Sequence, residues 1–324
     1  MLTPIARSLI VSSAAIVSGI AAAQPGVGDI EAAFSRGERS VDFAQSIAGL
    51  VTVREGVEFG VTAYDLDDSD STEIVLLALQ ASRTFRLFGE DAPGLLVEGS
   101  ASYARSEGDL EDLFFGLAPG SEASVDYEFR TLTAQVGVGP AFETAEGLTL
   151  TPMMNVGGSL VESDADYAGP GTVVATAVAD GIAFNWEAGA LSLGFVGRAE
   201  YVTELDEGLE LRLLGRYDVR LVETVGEDDP AQDFSGTLQF FTLGADVTGG
   251  TETKVLGGTL GWQAGLAYTV FAEGDAFGSD HYVQLSGGVG LNDDLNLGSR
   301  LALNAVVVLG EDLTGIGGSV ELAF

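Results

Sequence analysis

The sequence predicts an all-β protein, a transmembrane antiparallel β-barrel of about twelve strands. Three observations predict it. Apolar residues recur at every second position over many separate segments, the period of a strand whose side chains leave on opposite faces. Many segments reach ten residues or more, enough to cross a bilayer at a tilt, where ordinary strands average about five or six. The connections alternate between short turns and mostly longer, more acidic links, a sorting expected of a membrane barrel and not of a soluble sandwich.

The clearest segment is Leu209 to Leu221. Its odd positions are Leu209, Leu211, Leu213, Gly215, Tyr217, Val219 and Leu221; its even positions include Glu210, Arg212, Arg216, Asp218 and Arg220. One face is apolar and suits lipid. The other carries three guanidinium groups and two carboxylates and suits a wet lumen.

Composition agrees. Hydrophobic residues make up 46% of 324 residues and mean hydropathy is +0.27, yet no run after the first 23 residues is a helical bilayer span. The 45 glycines suit close, tilted strands and tight turns. With 49 acidic and 14 basic residues, for a net charge of −35, the chain is a poor nucleic-acid binder, because phosphate contacts need Lys and Arg. There is no Cys, so disulfides and thiolate metal sites are excluded.

Taken in order, residues 1–23 read as a secretory signal peptide. Arg7 gives a positive start, Ser8 to Ala22 is apolar, and Ala21-Ala22-Ala23 fits a cleavage site before Gln24. Residues 24–55 form an N-terminal segment. Within 29–50, Ile30, Phe34, Val41, Ala44, Ile47 and Ala48 approximate a helical stripe weakened by Gly37, so a helix, a periplasmic tail and an early strand all stay open.

Residues 56–324 read as the barrel. Val57, Phe59, Val61 and Ala63 mark the first strand and 73–88 the second. Leu95, Val97, Ala101 and Tyr103 mark the third, followed by a polar link over about 107–124. The fourth covers about 125–142, and the fifth carries Leu148, Leu150, Met154, Val156 and Leu160. Pro152 interrupts the fifth and is expected only at an edge or bulge. The stretch 163–189 reads as a long loop. Leu191, Phe195, Ala199 and Tyr201 face outward on the sixth strand, and Leu209 to Leu221 is the seventh. The eighth holds Phe241, Leu243, Ala245 and Val247, with a phase slip near Phe240 that suggests a bulge. Four more follow, through Trp262, Val289, Leu303 and Val320. The short connections fall near 89–93, 143–147, 205–208, 249–253 and 292–297. The other set falls near 67–72, 107–124, 163–189, 225–233 and 273–279, with 311–313 short. An even strand count puts both termini on one side, and the short turns mark that side as periplasmic.

Val320-Glu-Leu-Ala-Phe324 ends the chain in an aromatic residue with apolar residues at alternate positions. This resembles the terminal strand of bacterial outer-membrane barrels, with Val320, Leu322 and Phe324 as the signal that the barrel-assembly machinery reads. The whole mature chain is similar to the barrel domain of autotransporters. That resemblance implies twelve strands, a lumen helix at 29–50 and a closing strand. It departs from the family in having only about thirty mature residues upstream, so it implies a solitary barrel without a passenger in cis.

The candidate lumen residues are Arg198, Glu200, Glu210, Arg212, Arg216, Asp218, Arg220 and Arg300. Arg212, Arg216 and Arg220 stand about 13 Å apart along one face. They form either an electropositive wall or, the favoured reading, a network neutralised by Glu200, Glu210 and Asp218. Either way they face inward, since an Arg in lipid at the midplane costs about 2–4 kcal/mol. His281 is the only histidine, and Ser279 shares its face. A triad needs nucleophile, base and orienting acid to meet, and Asp280 points away from its neighbour on an extended strand. Catalytic residues are therefore not assigned. The acidic stretch with Asp65, Asp67, Asp68, Asp70 and Glu73 lacks the spacing and central Gly of a calcium loop and reads as solvated, so no metal or cofactor is assigned. Tyr103, Tyr201, Tyr217, Tyr268 and Trp262 are candidates for interfacial girdles.

The expectation is a non-enzymatic outer-membrane barrel with a structural or interaction role and a narrow or plugged pore. Its surroundings would be outer-membrane lipid and lipopolysaccharide. A small porin-like diffusion channel is the alternative, and a barrel hydrolase a third.

Overall fold

The computed structural model describes residues 56–66, 73–87, 92–113, 122–181, 184–205, 208–225, 235–255, 258–273, 279–292, 300–311 and 313–323. The expected signal peptide, the helix at 29–50 and Phe324 lie outside the described residues. Twelve strands run in order: β1 (Gly56–Leu66), β2 (Glu73–Phe85), β3 (Gly94–Leu113), β4 (Ala123–Ala145), β5 (Leu148–Ala168), β6 (Trp186–Glu204), β7 (Leu209–Val225), β8 (Ser235–Val255), β9 (Gly258–Glu273), β10 (His281–Asn292), β11 (Arg300–Gly310) and β12 (Leu313–Ala323). Among the described residues one helix, α1 (Thr172–Ala179), lies between β5 and β6. Each strand pairs with its sequence neighbours, and β1 pairs antiparallel with β12 from Gly56↔Ala323 to Leu66↔Leu313. Closure leaves no unpaired edge, the condition for a sheet to sit in lipid. Both described ends lie at the end of the barrel that carries the tight turns, here the turn end; the opposite one is the loop end.

The outward face is apolar across the middle of the barrel. Met154, Val156 and Leu160 on β5 are 61%, 59% and 55% exposed, and Leu193, Leu221, Leu243, Val289 and Leu303 extend the belt around the sheet. On β4 the outward residues from Leu132 to Phe142 carry no charge. Eleven residues rise about 36 Å along a strand, or about 25 Å at a 45° tilt, the height of an outer-membrane apolar band. The next row toward the loop end is charged: Arg130, Glu162 and Glu187 are register partners on β4, β5 and β6.

At that row the two faces exchange character. The inward residues of β4 are Val125, Tyr127 and Phe129 above it and Thr131, Thr133 and Gln135 below it, all buried. Water lies outside the strands there, so the apolar side must turn inward. Val125, Tyr127, Phe129, Val161, Trp186, Ala188 and Ala190 pack with Ala175 and Ala179 of α1 and with Phe184. The Phe184 ring lies 5.5 Å from Tyr127 and 6.4 Å from Phe129. A second inward cluster at the same end joins Tyr64, Ile74, Leu76, Leu238, Phe240, Phe271, Tyr282 and Val308.

This exchange corrects several expectations. The polar link over 107–124 is strand at both ends: β3 continues to Leu113 and β4 begins at Ala123, while 114–121 lie outside the described residues. The stretch 163–189, expected as a long loop, holds the end of β5, α1 and the start of β6. Asn185 fixes the return from α1. Its φ of 58° is tolerable for Asn, and its side chain accepts from the Ala165 amide at 2.7 Å and donates to Asp180 at 2.6 Å. The break in phase near Phe240 is the exchange seen on β8: Leu238 and Phe240 point in, Phe241 and Leu243 out, with alternation unbroken. A register shift does fall between Gln239 and Phe240 in the β8–β9 pairing. The turn expected at 249–253 is part of β8, which ends at Val255. Pro152 sits at neither an edge nor a bulge. Pairing of β4 and β5 passes from Val138↔Met154 to Phe142↔Leu150 with no residue inserted, and Pro140 and Pro152 stand opposite each other in the gap, two residues that have no N–H to donate. Gly139 permits the close approach, since a Cβ there would lie 2.0 Å from the Pro152 carbonyl oxygen.

The charged row has a direct test. Cysteine at 128, on the outward face of β4 beyond the belt, is expected to react with a water-soluble maleimide in reconstituted protein. Cysteine at 136 is expected to stay unlabelled and to report lipid quenching of an attached fluorophore. Equal labelling would move the boundary. Val156→Arg, on the belt's midline, is expected to cost about 2–4 kcal/mol in a urea unfolding titration.

Candidate functional site

The lumen-facing residues of β3, β6 and β7 form one chain of ion pairs. Arg212 Nη2 lies 2.5 Å from Glu200 Oε1, and Glu200 Oε2 lies 2.5 Å from Arg198 Nη2. Arg198 Nη1 is 2.5 Å from Glu98 Oε1, and Glu98 Oε2 is 3.1 Å from Arg216 Nη1. Arg216 Nη2 is 3.3 Å from Asp218 Oδ2. Asp218 also takes a two-pronged contact from Arg220, with Nε at 2.8 Å and Nη2 at 2.7 Å. Arg220 lies 5.5 Å from the Phe240 ring centroid, within cation–π range. Arg198, Arg216, Asp218 and Arg220 are all buried.

The strand period explains the geometry. Residues 212, 216, 218 and 220 share the inward face of β7, and 198 and 200 share that of β6, where Arg198 and Arg216 are register partners. Glu98 comes from β3, three places round the sheet from β6. Its carboxylate therefore crosses the lumen instead of bridging neighbouring strands. Among these described contacts four guanidinium groups meet three carboxylates, so most of their charge is neutralised. Buried ions are costly unless paired and hydrogen-bonded, and planar guanidinium groups suit paired carboxylate contacts.

Of the sequence candidates, Arg198, Glu200, Arg212, Arg216, Asp218 and Arg220 are thus brought together. Glu210 lies on the same face of β7, half-buried, nearer the turn end. Arg300 lies on the inward face of β11, away from this chain, against Gly290. Val320 and Leu322 face outward on β12, 43% and 41% exposed. Glu98 is the residue that sequence reasoning missed. Its only signal is an inward position between Val97 and Gly99.

The chain floors a vestibule of about 630 Å³ at the turn end, lined by Arg86, Glu143, Thr151, Arg198, Glu200 and Arg212. Deeper inside, spaces of about 80 and 40 Å³ lie against β1, β2 and β7 to β12. There Gln263 donates to Asn304 and, at 3.2 Å, to Glu321 Oε2, and Asn304 donates to Ser319 at 3.2 Å.

The other candidates are placed elsewhere. Ser279 does not share a face with His281. It is fully buried, and its hydroxyl donates to the His281 carbonyl oxygen at 2.8 Å and accepts from the Glu311 amide at 3.1 Å. The His281 ring packs beside Tyr268, with centroids 6.0 Å apart. Asp65 and Glu73 are register partners at the loop end, while Asp67, Asp68 and Asp70 lie outside the described residues. Among the described residues, no three acidic, His or Cys side chains converge as a metal centre. Tyr201, Tyr217, Trp262 and Tyr268 face outward, each between 37% and 42% exposed, and Tyr103 is half-buried.

No protein-family model matches this chain, and no curated protein matches it in sequence. Solved structures do match in fold. The transport unit of the autotransporter AIDA-I from Escherichia coli is 11% identical with a TM-score of 0.53, covering 89% of this chain and 96% of its own. The translocator domain of NalP from Neisseria meningitidis is 10% identical with a TM-score of 0.48, covering 92% and 99%. The β domain of the Bordetella autotransporter BrkA is 10% identical with a TM-score of 0.48, covering 83% and 98%. The feature shared with the AIDA-I transport unit is the fold, here a closed antiparallel β-barrel of twelve strands.

Proposed function

We propose that this chain is a closed outer-membrane barrel with a structural or interaction role, and that neither export nor free diffusion passes through its resting lumen. The single observation that carries this reading is the ion-pair chain, which reaches across the interior from β3 to β7 and buries Arg216, Asp218 and Arg220. The apolar clusters at the loop end add a second barrier, because an ion entering them would be stripped of water. On this reading the signal peptide is removed near Ala23, both termini are periplasmic, the barrel-assembly machinery inserts the chain, and the acidic loop end meets lipopolysaccharide.

The vestibule of about 630 Å³, with Arg86, Arg198 and Arg212 in its lining, favours a second reading, a small diffusion channel with some anion preference. Planar-bilayer recording decides between them. The mature protein and a version lacking 24–50 are both expected to give no sustained conductance. Steady ohmic current from the intact protein would replace the closed reading with the channel. Current only after the deletion would assign the seal to the N-terminal segment.

A further inference from the structure

The first and last strands set two carboxylates opposite each other. Glu58 on β1 is the register partner of Glu321 on β12. Both lie on inward faces and line the same space, and Glu321 is 8% exposed. Opposed residues of an antiparallel pair hold their Cβ atoms about 5 Å apart, where like charges repel. Glu321 Oε2 accepts from Gln263 at 3.2 Å, but Oε1 is buried and accepts no hydrogen bond. Among the described residues the ion pairs of the lumen run along β3, β6 and β7 and leave this seam out.

The space beside the pair measures about 80 Å³ and is lined also by Asp246 and Ser319. A space of that size admits an ion together with water. We propose that Glu58 and Glu321 hold a divalent cation at the barrel seam, with Ser319 and water completing its shell and Asp246 reached through water. Calcium and magnesium ions take oxygen ligands of this kind, and magnesium usually keeps several of its waters. An ion there would turn a repulsive contact between β1 and β12 into a bridge, so closure of the barrel would tighten with cation concentration.

The test uses the full mature protein folded in detergent, with Mn²⁺ as the probe, titrated by electron paramagnetic resonance. High salt screens the exposed acidic loops. The wild type is expected to show one tight site per barrel, displaced by Mg²⁺ or Ca²⁺. Glu321→Gln is expected to weaken it at least tenfold. In chelator, Glu321→Gln is also expected to unfold at a higher temperature than the wild type, because the repulsion is gone, and the order should reverse with Mg²⁺. Should Glu321→Gln fail to fold, Glu58→Gln gives the same readout. Equal Mn²⁺ binding by wild type and variant would overturn the site. So would a wild type whose stability rises on mild acidification but ignores Mg²⁺, which would mean a shared proton only.

Discussion

Asp218→Ala is expected to destabilise the folded barrel by about 3–5 kcal/mol, the cost of breaking a buried ion pair from one side. Asp218 has no exposed surface and holds two guanidinium groups, Arg216 at 3.3 Å and Arg220 through both Nε and Nη2. Arg220 has nowhere to go, since it is 1% exposed and packed against Phe240. The substitution removes the carboxylate that takes both prongs of a buried guanidinium group. Asp218→Asn keeps the shape and part of the hydrogen bonding, so a smaller loss is expected. Replacing Arg220 and Asp218 together by apolar residues of similar volume is expected to be less harmful than Asp218→Ala, because the buried cation is removed along with its two-pronged carboxylate. Urea unfolding in detergent, followed by circular dichroism and heat-modifiable gel migration, measures all three. A loss under about 1 kcal/mol for Asp218→Ala would show that the chain of ion pairs does not hold the interior together.

Glu98→Ala is expected to open the barrel, with conductance several-fold above the wild type and a preference for anions. Among the described residues Glu98 is the one that carries the ion pairs across the lumen, contacting Arg198 at 2.5 Å and Arg216 at 3.1 Å from a strand that pairs with neither β6 nor β7. Without it, the two guanidinium groups fall back on Glu200 and Asp218 along their own strands. Losing one carboxylate makes the local charge one unit more positive, which attracts anions into the space vacated. The recording belongs in a background lacking 24–50, so that the N-terminal segment cannot contribute. If Glu98→Ala remains as tight as its parent, the seal lies at the loop end, and Phe184→Ala, at the centre of the aromatic cluster, is the variant that should leak.

Much of the architecture was legible because each strand carries its own instructions. Leu213, Val156 and Leu303 announce a lipid-facing side through their alternation with polar neighbours, and this requires no knowledge of the rest of the chain. The loop end was not legible for the same reason. Tyr127 and Phe129 on β4, and Trp186 and Ala188 on β6, obey the same period with the opposite sense. An alternation that changes sense half-way along a strand looks like an ending. That is why 107–124 and 163–189 read as connections.

By itself, then, the sequence determined the strand period, the even strand count, the residues that meet lipid and the inward face that carries Arg212, Arg216 and Arg220. These are properties of short segments facing one solvent or another. Tertiary structure decided what fills the interior. Closing the sheet sets Glu98 against Arg198, 100 residues away in sequence, and Glu58 against Glu321 at the seam. It also decided where the faces exchange, because only the assembled barrel has a level at which lipid gives way to water.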